Sequence, residues 1–154
     1  MKPTEHRLIH AFESLSLDPS EWTHRTHVSI AFLYLREHGF DGALERIRQG
    51  IKAYNAHHAV EESATSGYNE TTTTALLTLI DTVMRAYGEI LPASNADEFC
   101  ECHPELMSKH ILRCFYTPER RMHPEAKVRF IEPDLAPLPS YPTNRKSTDR
   151  ATAD

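Results

Sequence analysis

The chain has 154 residues, 40% of them hydrophobic and 25% charged, with 22 acidic against 17 basic side chains and a net charge of −5. That length holds one domain with a real core and little room for a second, and the supply of Leu, Ile, Phe, Tyr and Val is too rich for a disordered chain. The acidic balance, with no Lys/Arg run longer than Arg120-Arg121 and Arg145-Lys146, argues against nucleic acid and membrane surfaces as partners. The longest apolar run, Ala75 to Ile80, is broken by Thr78 and falls far short of the roughly twenty residues of a membrane span. Met1 to His10 lack the apolar centre of a secretory signal, and Cys100, Cys102 and Cys114 are an odd count that suits reduced thiols. Together these predict a cytoplasmic address.

The first predicted helix covers Thr4 to Leu17, because Leu8, Phe12 and Leu15 recur at four and three residues and Asp18-Pro19 ends the pattern. The second is strongest over Trp22 to His38. Asp18 stands as its N-cap, Pro19 at the first helical position, Glu21 in the capping-box position and Gly39 just past its end. Asp41 caps a third helix with the core stripe Leu44, Ile47, Ile51, Tyr54 and His58. The short connection between the second and third makes them antiparallel neighbours. From Ala59 to Tyr68 periodicity gives way to Ser, Thr and Gly, which reads as a loop.

A fourth helix runs from near Asn69 to Tyr87, stopped by Gly88, with Asn69, Thr73, Leu76, Ile80, Val83 and Tyr87 along one line. It opens on Thr71 to Thr74, four successive β-branched hydroxyl residues. These are poor helix formers, so packing or a use for the hydroxyls has to compensate. Leu91-Pro92 opens an irregular stretch, and a fifth helix spans about Pro104 to Phe115 with Met107, Ile111 and Cys114 on one face. Thr117-Pro118-Glu119 starts a short helix and His123-Pro124 another, before the prolines at 133, 137, 139 and 142. The pattern predicts an all-α, single-domain bundle of five or six helices over residues 1–140, without repeats or strands, and a disordered tail from Tyr141 to Asp154.

His24 and His27 are three residues apart, on the helix side that also carries Val28, Ala31 and Leu35. If helices two and four are neighbours, the start of helix four brings Glu70 within reach. Two imidazoles and a carboxylate are the facial set of non-haem Fe(II) enzymes, and the same donors hold zinc. His24, His27 and Glu70 are therefore candidate ligands for one divalent metal, iron, zinc or manganese, in a small enzyme that activates water or O₂. Asn69 could orient a bound water and His58 supply a further nitrogen or a base, with Thr73 and Tyr54 among the side chains around metal or substrate. The competing reading has the histidines lining a wet groove, bonded to backbone or to Tyr34 and Tyr54, and Glu70 complementing the helix dipole. The protein would then be a non-catalytic binding or accessory protein whose groove takes a small ligand or a partner helix.

Cys100-Glu-Cys-His103 lacks zinc spacing, and Arg120-Arg121 reads more simply as a solvated face than as an anion clamp. His57-His58 suits the carboxyl end of a helix dipole. Without a G-x-S-x-G, a P-loop or a G-x-G-x-x-G, the chain offers no nucleophile elbow and no nucleotide-cofactor fingerprint.

Three segments resemble, in order, the motifs of a family of small, all-helical, largely uncharacterised microbial proteins. They are Trp22-Thr-His-Arg-Thr-His27, Gly67-Tyr-Asn-Glu-Thr71 and Glu132-Pro-Asp-Leu-Ala-Pro-Leu-Pro139. The family patterns are Trp-Thr-His-x-x-His, Gly-Tyr-His-Glu-Thr and Glu-Pro-Asp-Leu-x-Pro-Leu-Pro, and the likeness spans most of Trp22 to Pro139. It brings no established activity, but it implies that the histidine pair and Glu70 belong to one constellation. This chain departs from the pattern at Asn69. If the family's histidine there is a ligand, metal binding would be weakened or lost, whereas if Glu70 is the ligand the departure would cost less.

Overall fold

Every regular element in the computed structural model, which describes residues 1–142, is helical. Among the described residues there are six α-helices: α1 (Pro3–Glu13), α2 (His24–His57), α3 (Glu70–Tyr87), α4 (Ala96–Cys102), α5 (Pro118–Arg121) and α6 (Pro124–Val128). The all-α bundle expected from the sequence is present, and none of these helices is long and apolar enough to cross a membrane. Tyr141 and Pro142 belong to the described chain, while the rest of the expected tail, 143–154, lies outside the described residues.

The first arm of α2 is the axis of the molecule. From Val28 to Leu35 every residue is buried, and a helix that is covered on all sides needs neighbours all round. They are α1, α3, α4 and the 3-10 turn Pro104–Met107. The α1–α4 junction rests on Glu5, a buried carboxylate that accepts from the backbone N–H of Lys2 at 2.6 Å and of Ala96 at 2.9 Å, with Arg36 at 3.7 Å. Burial opposes its charge, but these donors prevail and hold the carboxyl below the usual carboxylate range.

Gly39 does more than stop a helix. Its φ of 69° and ψ of −176° break the long α2 into arms 24–38 and 40–57. Trp22, just before the first arm, meets Tyr54, near the end of the second, with ring centroids 4.7 Å apart, so the arms run antiparallel as expected. A Cβ at Gly39 would meet nothing within 4 Å, so the demand for glycine is purely one of backbone conformation. Gly39→Ala should therefore cost about 1–2 kcal/mol, from the strain of an L-residue in that region alone. A lowered urea midpoint with unchanged helical circular dichroism is the expected reading.

Four expected boundaries move. Helix one ends at Glu13, short of Asp18, with Ser14 as its C-cap in a Schellman motif: Ser16 N–H donates to Ala11 O at 2.9 Å and Leu15 N–H to Phe12 O at 3.2 Å. Leu15 takes the left-handed position at φ 62°, which turns Leu17 back into the core. Asp18, Pro19 and Glu21 start a single 3-10 turn, Pro19–Glu21, with Asp18 accepting from Ser20 N–H at 2.8 Å; the cap of α2 is Thr23, which accepts from Thr26 N–H at 3.2 Å. The expected helix over 104–115 is two 3-10 turns, Pro104–Met107 and Ile111–Cys114. An α-helix there would need Leu106 O for the N–H of His110, but His24 Nε2 takes that carbonyl and Ser108 Oγ accepts from His110 N–H at 3.2 Å. Helix α4, in the stretch expected to be irregular, was hidden by its seven-residue length; Asn95 caps it, accepting from Glu98 N–H at 3.1 Å, and it buries Cys100.

The threonines that open α3 are used. Thr71 is fully buried, donates to Arg129 O at 3.0 Å and accepts from Ile131 N–H at 3.2 Å. Thr82, lower on the same helix, donates to Pro139 O at 3.1 Å. Between those points Tyr116 Oη donates to Ile131 O at 2.8 Å and Arg120 Nε to Glu132 O at 2.9 Å. Asp134 accepts from both N–H and Oγ1 of Thr117, and Leu135 N–H donates to Phe115 O. Residues 129–139 are thus a strap laid across α3 and the 3-10 turn and helix that follow α4.

Candidate functional site

His24 and His27 occupy the first turn of α2, as their spacing implied, but they face different surroundings. His24 Nε2 lies 2.7 Å from Leu106 O. His27 meets the edge of Trp22, ring centroids 4.0 Å apart, and its Nε2 is buried with no hydrogen-bond partner. Burial, reinforced by the neighbouring His24, lowers the His27 imidazole to about 4, so it is neutral at pH 7.

Glu70 heads α3, where its charge suits the helix dipole. Its carboxylate is gripped by Arg48 from the second arm of α2: Nε lies 3.1 Å from both oxygens and Nη2 2.5 Å from Oε1. Tyr68 Oη donates to Oε2 at 2.5 Å. These donors, Arg48 first, hold the Glu70 carboxyl below its usual range against the opposing effect of burial, while burial and Glu70 together push the Tyr68 phenol up. Asn69 is committed at both ends of its amide: Oδ1 accepts from Thr72 N–H at 2.9 Å as the cap of α3, and Nδ2 donates to Arg121 O at 3.1 Å.

His24, His27 and Glu70 are thus engaged with three separate sets of neighbours. Among the described residues no group of three or more His, Cys, Asp or Glu side chains is placed to hold a metal ion. Tyr54 donates to Leu17 O at 3.2 Å, and its ring packs on those of Trp22 and His58. His58 caps the end of α2 with Nε2 buried and unpartnered.

What the structure does bring together is a partly open cavity of about 310 Å³ bounded by the two arms of α2, by α3 and by the loop before it. Its walls are chiefly Phe12, Trp22, Ile30, Ile47, Leu76 and Ile80, and its polar margin is His27, Asn55, Asn69, Thr72, Thr73 and Tyr68. No Asp, Glu, Lys or Arg lines it. The loop supplies Val60, Gly67 and Tyr68 and is itself pinned from α6, where Lys127 Nζ donates to Glu62 at 2.8 Å and to the carbonyls of Ser63 and Ser66.

Of the residues singled out from the sequence, His27, Asn69 and Thr73 line this cavity, and Glu70 supports its wall through Tyr68. His24, Tyr54 and His58 do not line it. Arg48 was missed: it sits one residue beyond the apolar stripe position Ile47, and only the fold shows that its partner is 22 residues away. Comparison with known proteins found no matching family model, no similar curated protein and no similar solved structure.

Proposed function

We propose that this protein binds a small, mostly apolar molecule in the cavity between α2 and α3. The observation that carries the reading is a 310 Å³ apolar cavity whose lining includes His27, a residue with a buried, unpartnered Nε2. A polar atom left without a partner inside a fold costs about 1–3 kcal/mol, and a ligand that satisfies it while burying its own apolar surface recovers that cost. Apolar pockets with a few placed polar groups are the usual form of small-molecule sites. A metal centre on His24, His27 and Glu70 would first have to displace the Leu106 carbonyl and the Arg48 fork, so the binding reading is preferred to the metal-enzyme one. The three free thiols suit a reducing compartment such as the cytoplasm.

The test is thermal or urea unfolding in the presence of naphthalene, a probe scaled to the cavity. At ten times its dissociation constant it should stabilise the protein by about 1.4 kcal/mol. Ala31→Leu, which extends a buried side chain into the cavity, should remain folded and lose that stabilisation. An unchanged unfolding midpoint for the natural sequence at saturating probe would overturn the reading.

A further inference from the structure

The walls of the cavity also specify what kind of molecule it accepts. Its volume of 310 Å³ is about twice the roughly 150 Å³ of an engineered apolar cavity that takes benzene, which is the space of two fused rings. With no charged side chain on its lining, a carboxylate or an ammonium would enter without a counter-ion, at a desolvation cost the site does nothing to offset. The guanidinium of Arg48, next in sequence to the wall residue Ile47, is already spent on Glu70 and Glu45. His27 is among the lining residues and its Nε2 is buried without a partner; that atom of a neutral imidazole is an acceptor in one tautomer and a donor in the other. A hydroxyl can answer either, as donor to a lone pair or as acceptor from an N–H, whereas a carboxylate can only accept and an ammonium only donate. Asn69 already spends one donor and one acceptor of its amide within the fold.

Resting on the cavity reading above, we propose that the ligand is an uncharged, two-ring-sized apolar molecule bearing a hydroxyl, and that this hydroxyl is bound by Nε2 of His27. The ring system then lies among Phe12, Trp22 and the aliphatic faces of α2 and α3.

Three probes of one skeleton separate the class from the cavity itself: naphthalene, 2-naphthol and 2-naphthoate, each measured by equilibrium dialysis against the full chain at pH 7.5. We expect 2-naphthol to bind about tenfold more tightly than naphthalene, the worth of one buried hydrogen bond, and 2-naphthoate to bind most weakly. In His27→Phe the tenfold gap should close, and in His27→Gln, which keeps a polar group there, part of it should persist. Equal affinity for naphthalene and 2-naphthol would overturn the hydroxyl assignment and leave the cavity reading standing. Tightest binding of 2-naphthoate would overturn it in favour of an anionic ligand. Binding of none of the three would remove the assignment and the cavity reading together. The ranking on the natural sequence decides the matter even where a His27 variant fails to fold.

Discussion

Between pH 7.5 and pH 4.5 the protein should lose about 2–3 kcal/mol of folding stability through His27 alone, and His27→Phe should not show this loss. In the fold this imidazole is lowered to about 4 by burial and by His24, whereas in the unfolded chain it titrates near the ordinary value of about 6.5. Between those two values the unfolded state carries a proton that the folded state refuses, so acid draws the equilibrium toward unfolding. The contribution is complete above the unfolded value, declines as pH falls through about 6.5, and levels off near the folded value. Glu5, Glu62 and Glu70, all held below the usual carboxylate range, keep their contributions until pH nears the ordinary carboxylate value and lose them as it falls on through their depressed values, so the decline that begins near 6.5 belongs to the histidine. Urea midpoints of the natural sequence and of His27→Phe across that window are the measurement, and the two curves should diverge as pH falls. Trp22, the single tryptophan of the chain, stands edge-on to His27 at 4.0 Å and supplies a second reading, since a protonated imidazole quenches indole emission. Parallel urea curves would mean that His27 takes up its proton inside the fold as readily as outside it.

Arg48→Ala should destabilise by about 2–3 kcal/mol, more than an exposed ion pair is worth and less than a fully buried one. Glu70 is 12% exposed and Arg48 28%, and the guanidinium addresses both carboxylate oxygens. Without Arg48 the carboxylate keeps Tyr68, the start of α3 and the more distant charge of Lys52. The same carboxylate fixes Tyr68 on the cavity wall, so affinity for naphthalene should fall along with stability. The double variant Arg48→Ala/Glu70→Ala should cost less than the sum of its parts by about 1–2 kcal/mol, because it leaves no half-buried charge behind. Additive costs would mean that the pair behaves as a solvated surface contact.

What could be read in advance divides by the range of the interaction. Asn69, Gly88 and Gly39 act on the backbone beside them, and the limits of α3 and the break in α2 were legible from those residues alone. Asp18-Pro19 was equally visible and misleading. A cap marks where a turn begins and not how long it continues, and here Trp22, drawn onto Phe12 at 5.3 Å and Tyr54 at 4.7 Å, interrupts the helix before Thr23 restarts it. The spacing of Met107, Ile111 and Cys114 suggested an α-helix, but nothing local reveals that His24, 82 positions earlier, takes the carbonyl it requires. The same holds at the site. Residue type and helical phase pointed to His27 and Thr73, while the partner of Glu70 depended on how two arms and a third helix meet.

The strap over residues 129–139 is gripped largely by its main chain: Arg129, Ile131, Glu132 and Pro139 offer carbonyls, and Ile131 and Leu135 offer N–H groups. A peptide carbonyl is the same whatever side chain it carries. Asp134, the buried Ile131 and the core-packed Leu138 apart, tolerance to mutation should therefore be inverted here. Side chains of the strap are comparatively free to drift, whereas the hydroxyls of Thr71, Thr82 and Tyr116, in the elements beneath it, carry the information that keeps the strap in place.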